Sequence, residues 1–94
     1  MREKSTYLKV LADAIRDLHR LSTIHVQTVL VSILDQENTP VQQDVEIFAL
    51  MTHSESRKCF AWCDADGRPV ILLATSELNS PEQALRTFHQ KRAA

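Results

Sequence analysis

The residues able to do chemistry are few and dispersed along this chain of 94 residues. His53, Cys59 and Cys63 follow a His-x5-Cys-x3-Cys spacing that matches no common zinc pattern. On one strand, Cys59 and Cys63 would share a face but stand ~13 Å apart at about 3.3 Å per residue. That is too far for a disulfide or for two bonds of about 2.3 Å to one zinc ion. Both cysteines therefore read as small buried hydrophobes, and no metal is expected. A nucleophilic site needs Cys or Ser, a base and an orienting group gathered in space. Cys59 with His25, or His53 with Asp64, supplies the types, and no motif fixes them together. The single glycine rules out a glycine-rich phosphate loop and a nucleophile elbow. Asp44 and Glu46, two apart on a predicted strand, are the paired carboxylates that glycosidic chemistry would use, but the spacing is also that of a solvated strand face. No catalytic residue and no cofactor is expected. The candidate binding residues are His25 on the first strand, and Lys58, Phe60 and Trp62, a cation beside two aromatics of the kind interfaces enrich. Phe60 and Trp62 also suit a core, and the face of Cys59, Ala61 and Cys63 would then be the candidate subunit contact.

The elements that must position these residues follow from apolar spacing. Tyr7, Leu8, Leu11, Ala14, Ile15, Leu18 and Leu21 recur at helical intervals, with Ser5 or Thr6 as a cap, and predict a helix whose other face carries Lys9, Asp13, Arg16, Asp17 and Arg20. Residues 24–34 (IHVQTVLVSIL) open in alternation and become continuously apolar near Val29. This predicts a long strand that is covered on both faces in its second half, or that contains a bulge. Asp35 to Pro40 is a turn. Val45, Ile47, Ala49 and Met51 alternate with Asp44, Glu46, Phe48 and Leu50 in a second strand, and Lys58 to Asp64 alternates in a third. Asp64-Ala65-Asp66-Gly67 places the glycine where a tight hairpin needs positive φ. Arg68 to Thr75 is the fourth strand. Ser80-Pro81-Glu82-Gln83 combines an N-cap, a proline at the first helical position and a capping-box glutamine, and starts a helix running to about Lys91.

The expected fold is α+β, α-β-β-β-β-α, with an antiparallel four-stranded meander sheet and helices packed on it. Residues 1–94 form one domain, with an N-terminal helix (1–21), the sheet (22–78) and a C-terminal helix (79–94). Apolar residues on both strand faces predict cover on each side.

Hydrophobic residues make up 44% and charged residues 24% of the chain, the balance of a folded globular domain rather than a disordered one. A formal charge of −1 and a pI near 6.4 argue against a protein whose main task is neutralising phosphates. Residues 1–21 hold five basic and three acidic side chains, residues 22–79 three and eight, and residues 80–94 three and one, so the predicted helices are mildly positive and the sheet region negative. Met1 to Lys4 leads into a mixed-charge amphipathic stretch, not an apolar leader, and no ~20-residue apolar span appears, so a cytoplasmic protein without membrane attachment is expected.

His25-Val26-Gln27-Thr28-Val29, Val45-Glu46-Ile47-Phe48-Ala49-Leu50, Arg57-Lys58-Cys59-Phe60-Ala61-Trp62 and Ser80-Pro81-Glu82-Gln83-Ala84-Leu85-Arg86 resemble segments of a group of small bacterial α+β proteins of unknown function. That group has a His-Val strand, a Val-Glu-Val-Phe strand, a Tyr-Ala-Trp strand and a Ser-Pro helix start. The resemblance covers about three quarters of the chain and implies a bacterial-type protein without a known activity. It departs at Glu37-Asn38-Thr39-Pro40-Val41, where that group carries a Gly-rich, tryptophan-containing turn, and residues 1–21 lie outside it. The element order also resembles that of double-stranded-RNA-binding domains. Pro81-Glu82-Gln83 stands here where such domains place lysines, so nucleic acid is not an expected partner.

A small core, apolar residues on both sheet faces and no catalytic constellation predict a non-enzymatic protein-interaction or regulatory module that forms a homodimer through its sheet or first helix. The alternatives are a small-ligand or nucleic-acid binder using the His25 strand and the Lys58–Trp62 region, and, last, an enzyme with an intersubunit site around His25 and Cys59.

Overall fold

Two hairpin turns of one design fix the meander. In the computed structural model, which describes residues 4–93 and the side chains of residues 4–90, the order is α1 (Lys4–His19), β1 (Ser22–Leu34), β2 (Pro40–Met51), β3 (Ser56–Cys63), β4 (Pro69–Leu73) and α2 (Pro81–Ala93). The strands lie in one antiparallel sheet in the order β1-β2-β3-β4, the predicted α+β meander. At the first turn Asn38 N–H donates to Asp35 C=O and Asp35 N–H to Thr39 C=O; at the last, Gly67 N–H donates to Asp64 C=O and Asp64 N–H to Arg68 C=O. In both, the leading aspartate's Oδ1 accepts two further backbone N–H groups, from Glu37 and Thr39 and from Asp66 and Arg68. The fourth residue has positive φ, 62° at Asn38 and 80° at Gly67, because this turn closes onto a left-handed residue that glycine and asparagine tolerate best. Residues 35–40 are thus a tight hairpin turn that lets β2 begin at Pro40, five residues before the alternation of Val45 to Met51 suggests.

The two helices cover opposite faces. α2 packs Ala84 and Leu85 onto Val31, Ile33, Val45, Ile47, Phe60 and Trp62, with Phe88 meeting Trp62 edge to face at a centroid distance of 5.6 Å. α1 packs Leu11 and Ile15 onto Phe48, Leu50, Cys59 and Ala61. The alternation along β2 and β3 feeds both cores at once, which is why both strand faces are apolar. At the start of α2, Gln83 N–H donates to Ser80 Oγ, and Gln83 Oε1 reaches back to the Asn79 N–H, a capping box displaced outward by one residue.

Several boundaries and faces differ from expectation. Ser5 and Thr6 lie inside α1, so neither caps it, and any cap lies outside the described residues. Leu18, predicted on the apolar stripe, is 61% exposed, because α1 ends at His19 and turns away through Arg20, whose φ is 59°. The bulge in β1 lies between His25 and Gln27, earlier than the change of pattern at Val29. That later change instead marks where α2 covers Val31 and Ile33. β3 begins at Ser56, and β4 spans only Pro69–Leu73.

A Cβ added at Gly67 meets nothing within 4 Å, so the cost of a side chain there is backbone strain alone. Gly67→Ala and Asn38→Val should each lower the unfolding free energy by about 1–2 kcal/mol in urea titrations, while Asn38→Gly stays within about 1 kcal/mol of the parent.

Candidate functional site

Glu46 is fully buried, although its position between Asp44 and Phe48 reads as part of a solvated strand face. The bulge at Val26 explains how a carboxylate is accommodated there. His25 and Thr28 are three residues apart and would fall on opposite faces of a regular strand. With Val26 left out of the register, His25 stands opposite Phe48 and Thr28 opposite Glu46, so both side chains reach the α1 side of the sheet. His25 Nε2 then lies 2.9 Å and Thr28 Oγ1 2.5 Å from Glu46 Oε1, while Lys4 Nζ, from the first turn of α1, lies 2.6 Å from Oε2. A carboxylate only accepts, so His25 carries its proton on Nε2. The His25 ring is held edge to face on Phe48, with centroids 5.2 Å apart, and Lys4 Nζ sits 5.6 Å from the centre of the Tyr7 ring.

Burial pushes the Glu46 carboxyl up, but the hydrogen bonds from Lys4, Thr28 and His25 outweigh it and hold the group below its ordinary value. Its negative charge is therefore the state the fold is built around. One turn on from Lys4, the Tyr7 hydroxyl accepts a hydrogen bond from Cys63 N–H at 3.1 Å. There β3 has parted from β2: their pairing ends at Glu46 and Ala61. Tyr7 thus satisfies an amide that the diverging strand would otherwise leave open.

The remaining sequence candidates are not gathered around this cluster. Phe60 and Trp62 are buried under α2 on the opposite face and cannot act as exposed anchors. Lys58 shares their face at the exposed end of β3, away from His25. Cys59, Ala61 and Cys63, the predicted subunit contact in that case, are instead covered by α1; Cys59 and Ala61 are fully buried and Cys63 is partly so. Phe48 stands between His25 and Cys59 in the sheet, which puts these two residues two strand spacings, roughly 9–10 Å, apart. Burial pushes the Cys59 thiol up to about 12, and burial together with the neighbouring Asp64 raises Cys63, so neither is poised as a thiolate nucleophile. Among the described residues no group of three or more His, Cys, Asp or Glu is placed to hold a metal ion, and no helix is long and apolar enough to cross a membrane. Sequence reasoning missed Lys4 and Thr28 as partners of Glu46, because the bulge decides that His25 and Thr28 share a face, and the crossing of α1, which no local signal fixes, brings Lys4 to them.

Among the described residues, two open surfaces bear on function. A cleft of about 480 Å³ lies where β2 and β3 part, between Gln43, Trp62, Asp64 and His89. Along β1, Ile24, Val26, Leu30 and Leu34 are 56–62% exposed. Comparison with models of protein families finds no match, and comparison with curated proteins and with solved structures finds none either.

Because the Glu46 carboxyl is held low in the folded state, its contribution to stability is present above the ordinary carboxyl range and is lost as pH falls through its folded value. Glu46→Gln should therefore destabilise the protein by on the order of 2 kcal/mol at neutral pH, with the difference from the parent shrinking in urea titrations carried out at progressively lower pH. In native protein, iodoacetamide should leave Cys59 unmodified and label Cys63 slowly, with both labelled after unfolding, as read by peptide mass spectrometry.

Proposed function

We propose that this domain is a non-enzymatic protein-interaction module that acts by self-association. The observation that carries the reading is the clustering of exposed aliphatics on one element: Ile24, Val26, Leu30 and Leu34 all lie on β1, with Met51 exposed opposite Ser22. Scattered surface aliphatics are ordinary, but here Ile24 on the α2 side of the sheet and Leu30 and Leu34 on the α1 side flank one strand from both faces, which is what a partner along that strand covers. Two further features support the non-catalytic part. The buried carboxylate spends its oxygens on Lys4, Thr28 and His25, and the thiols are shielded and raised. The resemblance to small bacterial α+β proteins adds no activity to this reading.

The second reading is a small-ligand binder, favoured by the cleft between β2 and β3, where Gln43 and His89 offer polar groups beside an aromatic wall of Trp62 and Phe88. It differs from the first in needing no second chain.

Light scattering behind size exclusion separates the two. Self-association predicts a mass near twice the monomer at high micromolar loading, falling on dilution. A single monomer mass across that range would remove the interaction reading and leave the cleft as the place to search, by fluorescence of Trp62 against a panel of small aromatic and polar compounds.

A further inference from the structure

The two edges of the sheet are managed very differently. β4 has five residues, begins with Pro69, and has the chain beyond it held by Arg57 Nη2 donating to Ala74 C=O; shortness and proline are both devices that block further strand addition. β1, the opposite edge, runs for 13 residues with no proline and no Lys, Arg, Asp or Glu between Ser22 and Leu34. Its bulge is confined to Val26, leaving Gln27 to Leu34 as regular strand.

The first hairpin fixes which backbone groups are free. Asp35 N–H donates across the turn to Thr39 C=O, so residue 35, and by alternation Ile33, Val31 and Val29, direct their N–H and C=O toward β2. Thr28, Leu30, Ser32 and Leu34 direct theirs away from the sheet. This is an open row of donors and acceptors on an extended strand, flanked by the exposed side chains of Leu30 and Leu34.

We propose that β1 pairs antiparallel with β1 of a second copy of this chain across a two-fold axis, joining two four-stranded sheets into one of eight strands. The inference rests on the self-association reading and names its surface. A second copy is the occupant that the charge pattern fits. An uncharged strand meets no like charge when apposed to itself, while it offers a partner of different sequence no charge by which to be selected. A two-fold axis also makes the added pair antiparallel and closes the assembly, leaving only the short β4 edges at its ends. In registers centred on Leu30, Val31 or Ser32, residues of matching face oppose one another, and the leucines of one copy lie opposite or diagonal to those of the other.

Amide hydrogen exchange, read residue by residue in dilute and concentrated samples, tests the pairing alongside light scattering. The amides of Thr28, Leu30, Ser32 and Leu34 should slow at least tenfold on going from monomer to dimer, while those of Val29, Val31 and Ile33 stay protected in both. Leu30→Pro removes one outward N–H, and Leu30→Lys keeps the backbone while adding a charge that a two-fold mate would repeat. Each should weaken dimerisation at least tenfold while the circular dichroism remains that of the parent. A dimer in which the four outward amides still exchange freely, or one that Leu30→Lys leaves intact, overturns the edge pairing and leaves self-association standing on another surface. A parent protein that stays monomeric overturns both.

Discussion

A carboxylate with no exposure to solvent must be neutralised by its neighbours, and much of this structure can be understood as the means of doing that for Glu46. Its two oxygens take hydrogen bonds from three segments of chain: the first turn of α1 through Lys4, and β1 on either side of the bulge through His25 and Thr28. Removing water from a charge is costly unless each lone pair finds a donor. The arrangement therefore constrains the register of β1 against β2, the position of the bulge and the place where α1 begins its crossing. Phe48 and Leu50, the next residues on the same strand face, are the floor on which Leu11 and Ile15 rest. The polar lock and the apolar core beneath α1 are thus successive positions of one strand.

The α2 side is organised without such a lock. Its core is aliphatic and aromatic throughout, from Val31 and Ile33 across Val45 and Ile47 to Phe60 and Trp62, and its helix is positioned by the capping residues Ser80 and Gln83. The two helices therefore dock by different physics. The α1 face depends on the ionisation of a buried group, whereas the α2 face depends only on apolar area and shape.

The architecture was legible in the sequence because it is written in short-range signals: helical spacing in residues 7–15, alternation in β2 and β3, Asp64 to Gly67 at a turn, and Ser80 to Gln83 at a helix start. The first hairpin reads in sequence only as a turn, without the tight-hairpin signal of the last, because asparagine, not glycine, holds the left-handed position at residue 38. The candidate site was legible only in part. His25 stands out in sequence, but its partner Glu46 reads as part of a solvated strand face and nothing there associates Lys4 and Thr28 with it. Alternation alone places His25 and Thr28 on opposite faces, and one unpaired residue at Val26 reverses that relation for everything on one side of it. Phe60 and Trp62 show the converse limit. Aromatics on a strand serve a core or an interface equally well in sequence, and what decides between them is the position of α2, some twenty residues later in the chain.

The bond between Tyr7 and Cys63 spans 56 positions of sequence, and the apolar stripe of α1 likewise rests on β2 and β3, which are made after it. Synthesis proceeds from the N-terminus. α1 therefore precedes the whole of its binding surface, and its apolar face has no destination until most of the sheet has followed, whereas α2 follows a sheet already made. The hairpins, closed by turns of a few residues, have no such wait. The two helices thus meet the sheet in opposite orders, and α1 spends that interval as an amphipathic helix-forming segment without its sheet.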